Sequence, residues 1–280
     1  MKKISVVIPV YNEESVITDC LSSLNKQSHS NFETVIVDDG STDKTPLLIK
    51  EYKPKNYKLI LVKQNHKGPG AGRNLGSKRA TGEILVFVDA DMTFDKDFLN
   101  KLTKPIETEK EKGTFSKEEY VSNWESVWAR CWNINEGWED KRRHPANYPN
   151  KQKVFRAILK SEFDRVGGFD PGGYTDDYSL SEKLGHEAVI AGGARFYHSN
   201  PKSLLEVFRQ AKWAGKRKYK FGYLGYLAAL LRASLPVSLI VGLFKSLVNF
   251  QPAFLIFKLT YDLGIFMGVL GYIFLKRQSK

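Results

Sequence analysis

Three runs in the first ninety-one residues are almost wholly apolar and stop abruptly in acid or amide: "ISVVIPVYNEE", "FETVIVDD" and "EILVFVDAD". Runs of this kind lack the alternation of a half-exposed strand and suit strands covered by helices on both faces, as in a parallel sheet. Between them lie "SVITDCLSSLNKQ", "KTPLLIKEY", a further strand "KLILVKQ" and a glycine-rich loop. That βαβα order predicts a mostly parallel sheet, Rossmann-like, flanked by helical crossovers. Its carboxyl edge gathers Asn12 and Glu13, Asp38 and Asp39, and Asp89 and Asp91, although dozens of residues separate them. Open α/β sheets bind their ligands at this edge. The first run, Ile4 to Tyr11, is too short for a secretory leader and contains Pro9, so it reads as a strand.

With 280 residues the chain can bury a full core as one large or two modest domains. Cys20 and Cys131 lack metal-type spacing and read as buried small hydrophobes of a reducing compartment. The formal charge of +12 favours contact with phosphate, whether in nucleic acid, a nucleotide or anionic lipid. The basic residues cluster beside an apolar tail and are not interleaved with aromatics, which argues against nucleic acid. The expected organisation is a domain over 1–202, with halves 1–100 and 101–202, followed by a tail over 203–280. Trp124, Trp128 and Trp132 recur every four residues and predict one helical face, either packed or offered to sugar or lipid.

In the tail, Leu204, Val207, Phe208 and Ala211 recur at helical spacing, with Lys212, Lys216, Arg217, Lys218 and Lys220 behind them. Such a basic amphipathic helix predicts a membrane-surface element. Two apolar stretches follow, Tyr223 to Val248 and Ala253 to Leu275, closed by Lys276, Arg277 and Lys280. Basic clusters at both outer ends predict a hairpin with both termini on the cytoplasmic face. Arg232 and Pro236 interrupt the first stretch and Lys258 and Asp262 the second, so an interfacial or re-entrant hairpin stands beside two spans of ~20 residues.

Asp89 and Asp91, at i and i+2 where a strand opens into a loop, can share one hard divalent cation, Mn²⁺ or Mg²⁺, and the diphosphate it carries. The segments "VVIPVYNEE", "VIVDDGSTDKT", "GAGRNLGSKRATGEILVFVDADM" and "VGGFDPGGYTDDYSLSEKLG" together resemble the family 2 glycosyltransferases of GT-A fold, over about Ile4 to Pro201. The resemblance implies a nucleotide pocket lined by Pro9, Tyr11 and Glu13, with Asp39 at base or ribose and Asp38 supporting it. Arg73 would reach the base or phosphates. Asp89 and Asp91 would hold ribose, metal and diphosphate, and Ala90 between them would meet the nucleotide sugar. The pair Asp176-Asp177 stands where the family carries Glu-Asp, so Asp177 would be the catalytic base and Asp176 its orienting neighbour. His198 falls where some such enzymes supply a late metal ligand; the alternative is a hydrogen-bonded histidine at a strand end.

The implied activity is an inverting, metal-dependent transfer from a UDP- or GDP-linked sugar to a membrane-linked acceptor, either a lipid-linked glycan hydroxyl or polyprenyl phosphate. A sugar hydroxyl must lose a proton as it attacks, whereas a phosphate acceptor needs no base, so the Asp176-Asp177 pair favours a hydroxyl. The competing reading is a catalytically inactive GT-A domain that serves as a membrane scaffold or binding module. A dehydrogenase is disfavoured because Gly70, Gly72 and Gly76 follow the third strand and not the first.

Overall fold

The structure, a computed structural model, describes residues 1–170, 176–217 and 219–275. Its first half alternates β1 (Ile4–Val10), α1 (Ile17–Leu24), β2 (Phe32–Asp38), α2 (Thr45–Glu51), β3 (Lys58–Lys63), α3 (Pro69–Arg79) and β4 (Ile84–Phe87). Next come β5 (Met92–Phe94), α4 (Phe98–Glu107), β6 (Gly113–Phe115), β7 (Glu119–Val121), α5 (Val127–Glu136), β8 (Lys151–Gln152) and β9 (Ala157–Leu159). The remainder is α6 (Lys160–Arg165), α7 (Asp176–Leu184), β10 (Ala188–Ile190), β11 (Phe196–His198), α8 (Leu204–Gly215), α9 (Tyr223–Arg232), α10 (Leu235–Val248) and α11 (Ala253–Leu275). The described residues form two compact units, one of Met1–Tyr120 with Asn147–His198, the other of Val121–Ala146 with 199–275.

The first unit carries an eight-stranded sheet in the order β3-β2-β1-β4-β9-β6-β10-β8 and a small sheet β5-β11-β7. β1 runs parallel to β2 and β4, and β2 runs parallel to β3. Every residue of β2 is buried, as the unbroken apolar run predicts for a strand covered on both faces. Registers of Val10 with Asp38 and Val7 with Phe87 bring the ends of β1, β2 and β4 to one edge. β9 enters between β4 and β6 and is antiparallel to both, an insertion that the early βα alternation does not foreshadow.

The expected glycine-rich loop is instead α3. Its glycines let the helix lie directly on β1: a Cβ at Gly72 would stand 3.0 Å from Pro9, and one at Gly76 would overlap the Val7 side chain. Close backbone approach is a use that only glycine serves.

The second unit is helical. Cys131 of α5, Val207 of α8 and Phe254 and Phe257 of α11 form its core, with Trp128, Trp132 and Tyr261 packed around them. Trp132 meets Phe257 and Tyr261 edge-on at 6.2 and 5.5 Å, so this part of the tryptophan stripe is packing. Trp124 stands in the turn before α5, outside the helical face its spacing predicts.

The first apolar stretch is not one helix. It breaks at Ala233 and Ser234 into α9 and α10, bent by 54°. Pro236 lies in the first turn of α10, where its missing N–H is tolerated. Ala253–Phe274, with mean hydropathy 1.7, is long and apolar enough to cross a membrane. Asp262 within it is buried and paired, accepting from Lys258 Nζ at 2.8 Å and Ser238 Oγ at 2.6 Å.

Candidate active site

The loops after β1 and β2 are stitched together residue by residue. Asn12 adopts φ 58°. Its Oδ1 accepts from the Thr42 N–H at 2.8 Å, while its own N–H donates to Ser41 Oγ at 3.0 Å. The Glu13 N–H donates to Thr45 Oγ1, and the Glu14 N–H donates to Asp43. Gly40 supplies the positive φ, 83°, that the second loop needs. Asp38 is buried and accepts from the Ser41 N–H at 2.9 Å, a supporting position.

Asp39 is also buried. Its Oδ1 accepts from Gln64 Nε2 at 2.6 Å and the Lys67 N–H at 2.8 Å. Its Oδ2 accepts from the Gly68 N–H at 2.8 Å and faces His66 Nδ1 at 2.9 Å. Those four neighbours fill the lone-pair sites of a carboxylate. Tyr11 is exposed, and its ring lies 4.1 Å from that of His66.

Asp89 sits between two guanidiniums. Arg73 Nη2 on α3 donates to Oδ1 at 2.9 Å, and Arg156 Nη1, just before β9, donates to Oδ2 at 3.4 Å. Burial on its own would raise the Asp89 carboxyl, but the two arginines overcome this and hold it far below the usual range. Ala90 is buried. Asp91 Oδ2 lies 2.7 Å from His198 Nε2, and the other ring nitrogen, Nδ1, lies 2.9 Å from Glu119 Oε1. The antiparallel pairing of β11 with β5, His198 opposite Met92, creates that contact.

Glu13 is pushed up to about 7, first by burial and then by repulsion from Asp91, Asp89 and Asp43. The edge therefore concentrates negative potential, the environment a cation relieves. Asp91 and His198 offer adjacent oxygen and nitrogen donors, a set that suits Mn²⁺ and leaves further positions for phosphate. Among the described residues, no group of three or more His, Cys, Asp or Glu is placed to hold a metal.

Pro9, Tyr11, Glu13, Asp38, Asp39, Arg73, Asp89, Ala90, Asp91 and His198 all belong to the first unit. Asp176 and Asp177 open α7, but their side chains lie outside the described residues. His66, Glu119 and Arg156 carry no sequence signal of their own. Arg156 lies in "KVFRAIL", and only the unforeseen β9 pairing brings it to Asp89.

Residues 5–169, more than half of the chain, match the profile of Glycosyl transferase family 2. Poly(ribitol-phosphate) beta-N-acetylglucosaminyltransferase TarS of Staphylococcus aureus is 44% identical over 106 residues, which are 37% of this chain and 18% of that protein. Glycosyltransferase GlyA of Streptococcus pneumoniae is 36% identical over 104 residues, 37% of this chain and 15% of that protein. The matched segment thus spans less than a fifth of the length of each of these two relatives. Among solved structures, S. aureus TarS 1-349 with UDP-GlcNAc aligns with TM-score 0.60 and 18% identity, covering 97% of this chain and 91% of that one. Mannosyltransferase PcManGT from Pyrobaculum calidifontis, with GDP-Man and Mn²⁺, aligns with TM-score 0.62 and 20% identity over 99% of this chain and 88% of that one. With the GT-A-like sheet and its acidic edge, these likenesses identify the chain as a glycosyltransferase of family 2.

Proposed function

We propose that the chain transfers a sugar, with inversion, from a UDP- or GDP-linked donor to a membrane-linked acceptor hydroxyl, and that the transfer requires Mn²⁺ or Mg²⁺. The observation that carries this reading is the contrast between the two acids of "DAD": Asp89 is committed to two arginines, whereas Asp91 pairs with His198. The first acid and its arginines suit ribose and phosphate; the second, with His198, suits the cation. When bound, the cation would offset charge developing on the departing nucleoside diphosphate. Pro9, Tyr11 and Glu13 line the nucleotide site in this reading, with the exposed Tyr11 ring available to the base. Asp39 reads base or ribose by exchanging its half-exposed neighbour His66 for a ligand N–H or O–H. Asp177, oriented by Asp176, takes the proton from the acceptor hydroxyl. The solved neighbours carrying UDP-GlcNAc and GDP-Man support a uridine or guanosine donor.

Calorimetric titration of UDP-, GDP- and CMP-linked sugars, with Mn²⁺ or Mg²⁺ and again in chelator, tests the donor and the cation together. One uridine or guanosine donor should bind with metal, and binding should vanish in chelator and in Asp91→Ala. Undiminished binding in chelator would remove the metal role. No binding of any donor would favour the scaffold reading. Asp177→Asn should keep donor affinity within a few-fold while transfer is lost.

A further inference from the structure

We infer that the helical unit is seated in a single leaflet of an anionic membrane, through the outer face of α9 and α10, and that α11 does not cross the bilayer. The inference rests on the membrane attachment included in the proposed function and specifies its geometry.

Leu224, Leu227 and Leu231 on α9 and Ile240, Phe244 and Leu247 on α10 are each more than half exposed. Spacings of three and four put each trio on one helical face. Water-facing patches of this extent mark protein or membrane contacts. Arg217, Lys220 and Arg232, all exposed, border the pair, and a basic margin around an apolar face complements anionic headgroups.

Two connections within the unit argue against a crossing. Lys245 Nζ, near the end of α10, donates to the Ile134 carbonyl at 2.8 Å, and the adjacent Asn133 accepts from Asn200 Nδ2 at 2.8 Å. Asn200 follows His198 by two residues in the chain. Within this unit the α10–α11 turn is therefore tethered close to Asn200, through which the chain enters the unit, not ~30 Å away across a hydrocarbon core. The inferred seating departs here from the hairpin expected from the basic flanks, which has that turn on the far side.

At its other end α11 cannot enter the hydrocarbon alone. A Cβ at Gly264 would stand 2.7 Å from the Phe208 carbonyl oxygen, and one at Gly215 would stand 2.7 Å from that of Ile265, so α8 lies against it backbone to backbone. α8 exposes Arg209 and Gln210, which a crossing would force into lipid, where such residues are found only facing protein or water. The 54° bend then has a use, since it lets α9 and α10 follow a surface that a straight span would pierce.

The test uses the full chain, diluted from detergent onto preformed phosphatidylcholine vesicles with and without phosphatidylglycerol. The protein should float with the anionic vesicles, and Leu231→Asp combined with Ile240→Asp should weaken that binding about tenfold or more. Failure to float would overturn membrane attachment itself while leaving donor binding untouched. Topology is read with a membrane-impermeant maleimide on Asn249→Cys and Arg217→Cys, with Lys110→Cys in the first unit as reference. The native Cys20 and Cys131 are buried, so background labelling is low. Both test positions should label as fully as the reference before the vesicles are permeabilised. A position that labels only afterwards would overturn the single-leaflet seating alone.

Discussion

Glu13 and Arg156 are the side chains whose removal tells most about the acidic edge. Burial and its acidic neighbours lift the Glu13 carboxyl from 4.5 to about 7. Between those values the folded chain holds a proton that the unfolded chain has released. The stabilising contribution is therefore whole below 4.5 and is lost as pH rises through about 7. Thermal midpoints measured across this window should fall with pH more steeply in the native chain than in Glu13→Gln. Arg156→Ala leaves Asp89 with Arg73 as its one guanidinium partner and should lower transfer about 10- to 100-fold, the worth of a hydrogen bond to a charged group. Steady-state kinetics with the purified chain will check it. Along the acidic edge, the positions of Asp89 and Asp91 were legible because both follow the apolar strand β4. Arg156 and Glu119 were not, because a lone Arg or Glu has no periodicity, and tertiary pairing alone decides what it meets.

The first four strands, with α1 and α2 between them, were readable because each strand is a largely apolar run that stops at polar residues. α3 was not: glycine has poor helix propensity, and "GPGAGRNLG" looks like a loop until Val7 and Pro9 supply the surface it packs on. Gly76→Ala should therefore destabilise the first unit by about 1–3 kcal/mol, despite alanine's better propensity, because the added methyl meets the buried Val7 side chain. Denaturant unfolding will measure the loss; a gain would mean that α3 can shift on the sheet at little cost. The bend between α9 and α10 was partly legible, since Pro236 and Arg232 already interrupted the apolar run.

At the scale of the molecule, the sequence suggested a catalytic domain followed by a detachable tail, whereas α5 clusters with the C-terminal helices around Cys131, Val207, Phe254 and Phe257. Truncation after Lys202 should consequently uncover Trp128, Trp132 and Cys131 and produce an aggregating protein; size-exclusion chromatography of a monodisperse truncated form would contradict this. Composition could not reveal the exchange, because the tryptophan-rich stretch and the tail are each plausible alone. The position of β9 has a consequence for the order in which the chain is made. β4 finds β9 across some seventy residues of sequence. A nascent chain that has emerged only as far as β6 holds a sheet of β1 to β4 with the β4 edge unpaired, a template for pairing with another chain. The same late segment brings Arg156 to Asp89. Protection of that edge and completion of the arginine pair thus arrive in one event during synthesis, and fragments ending before it should be both inactive and prone to associate.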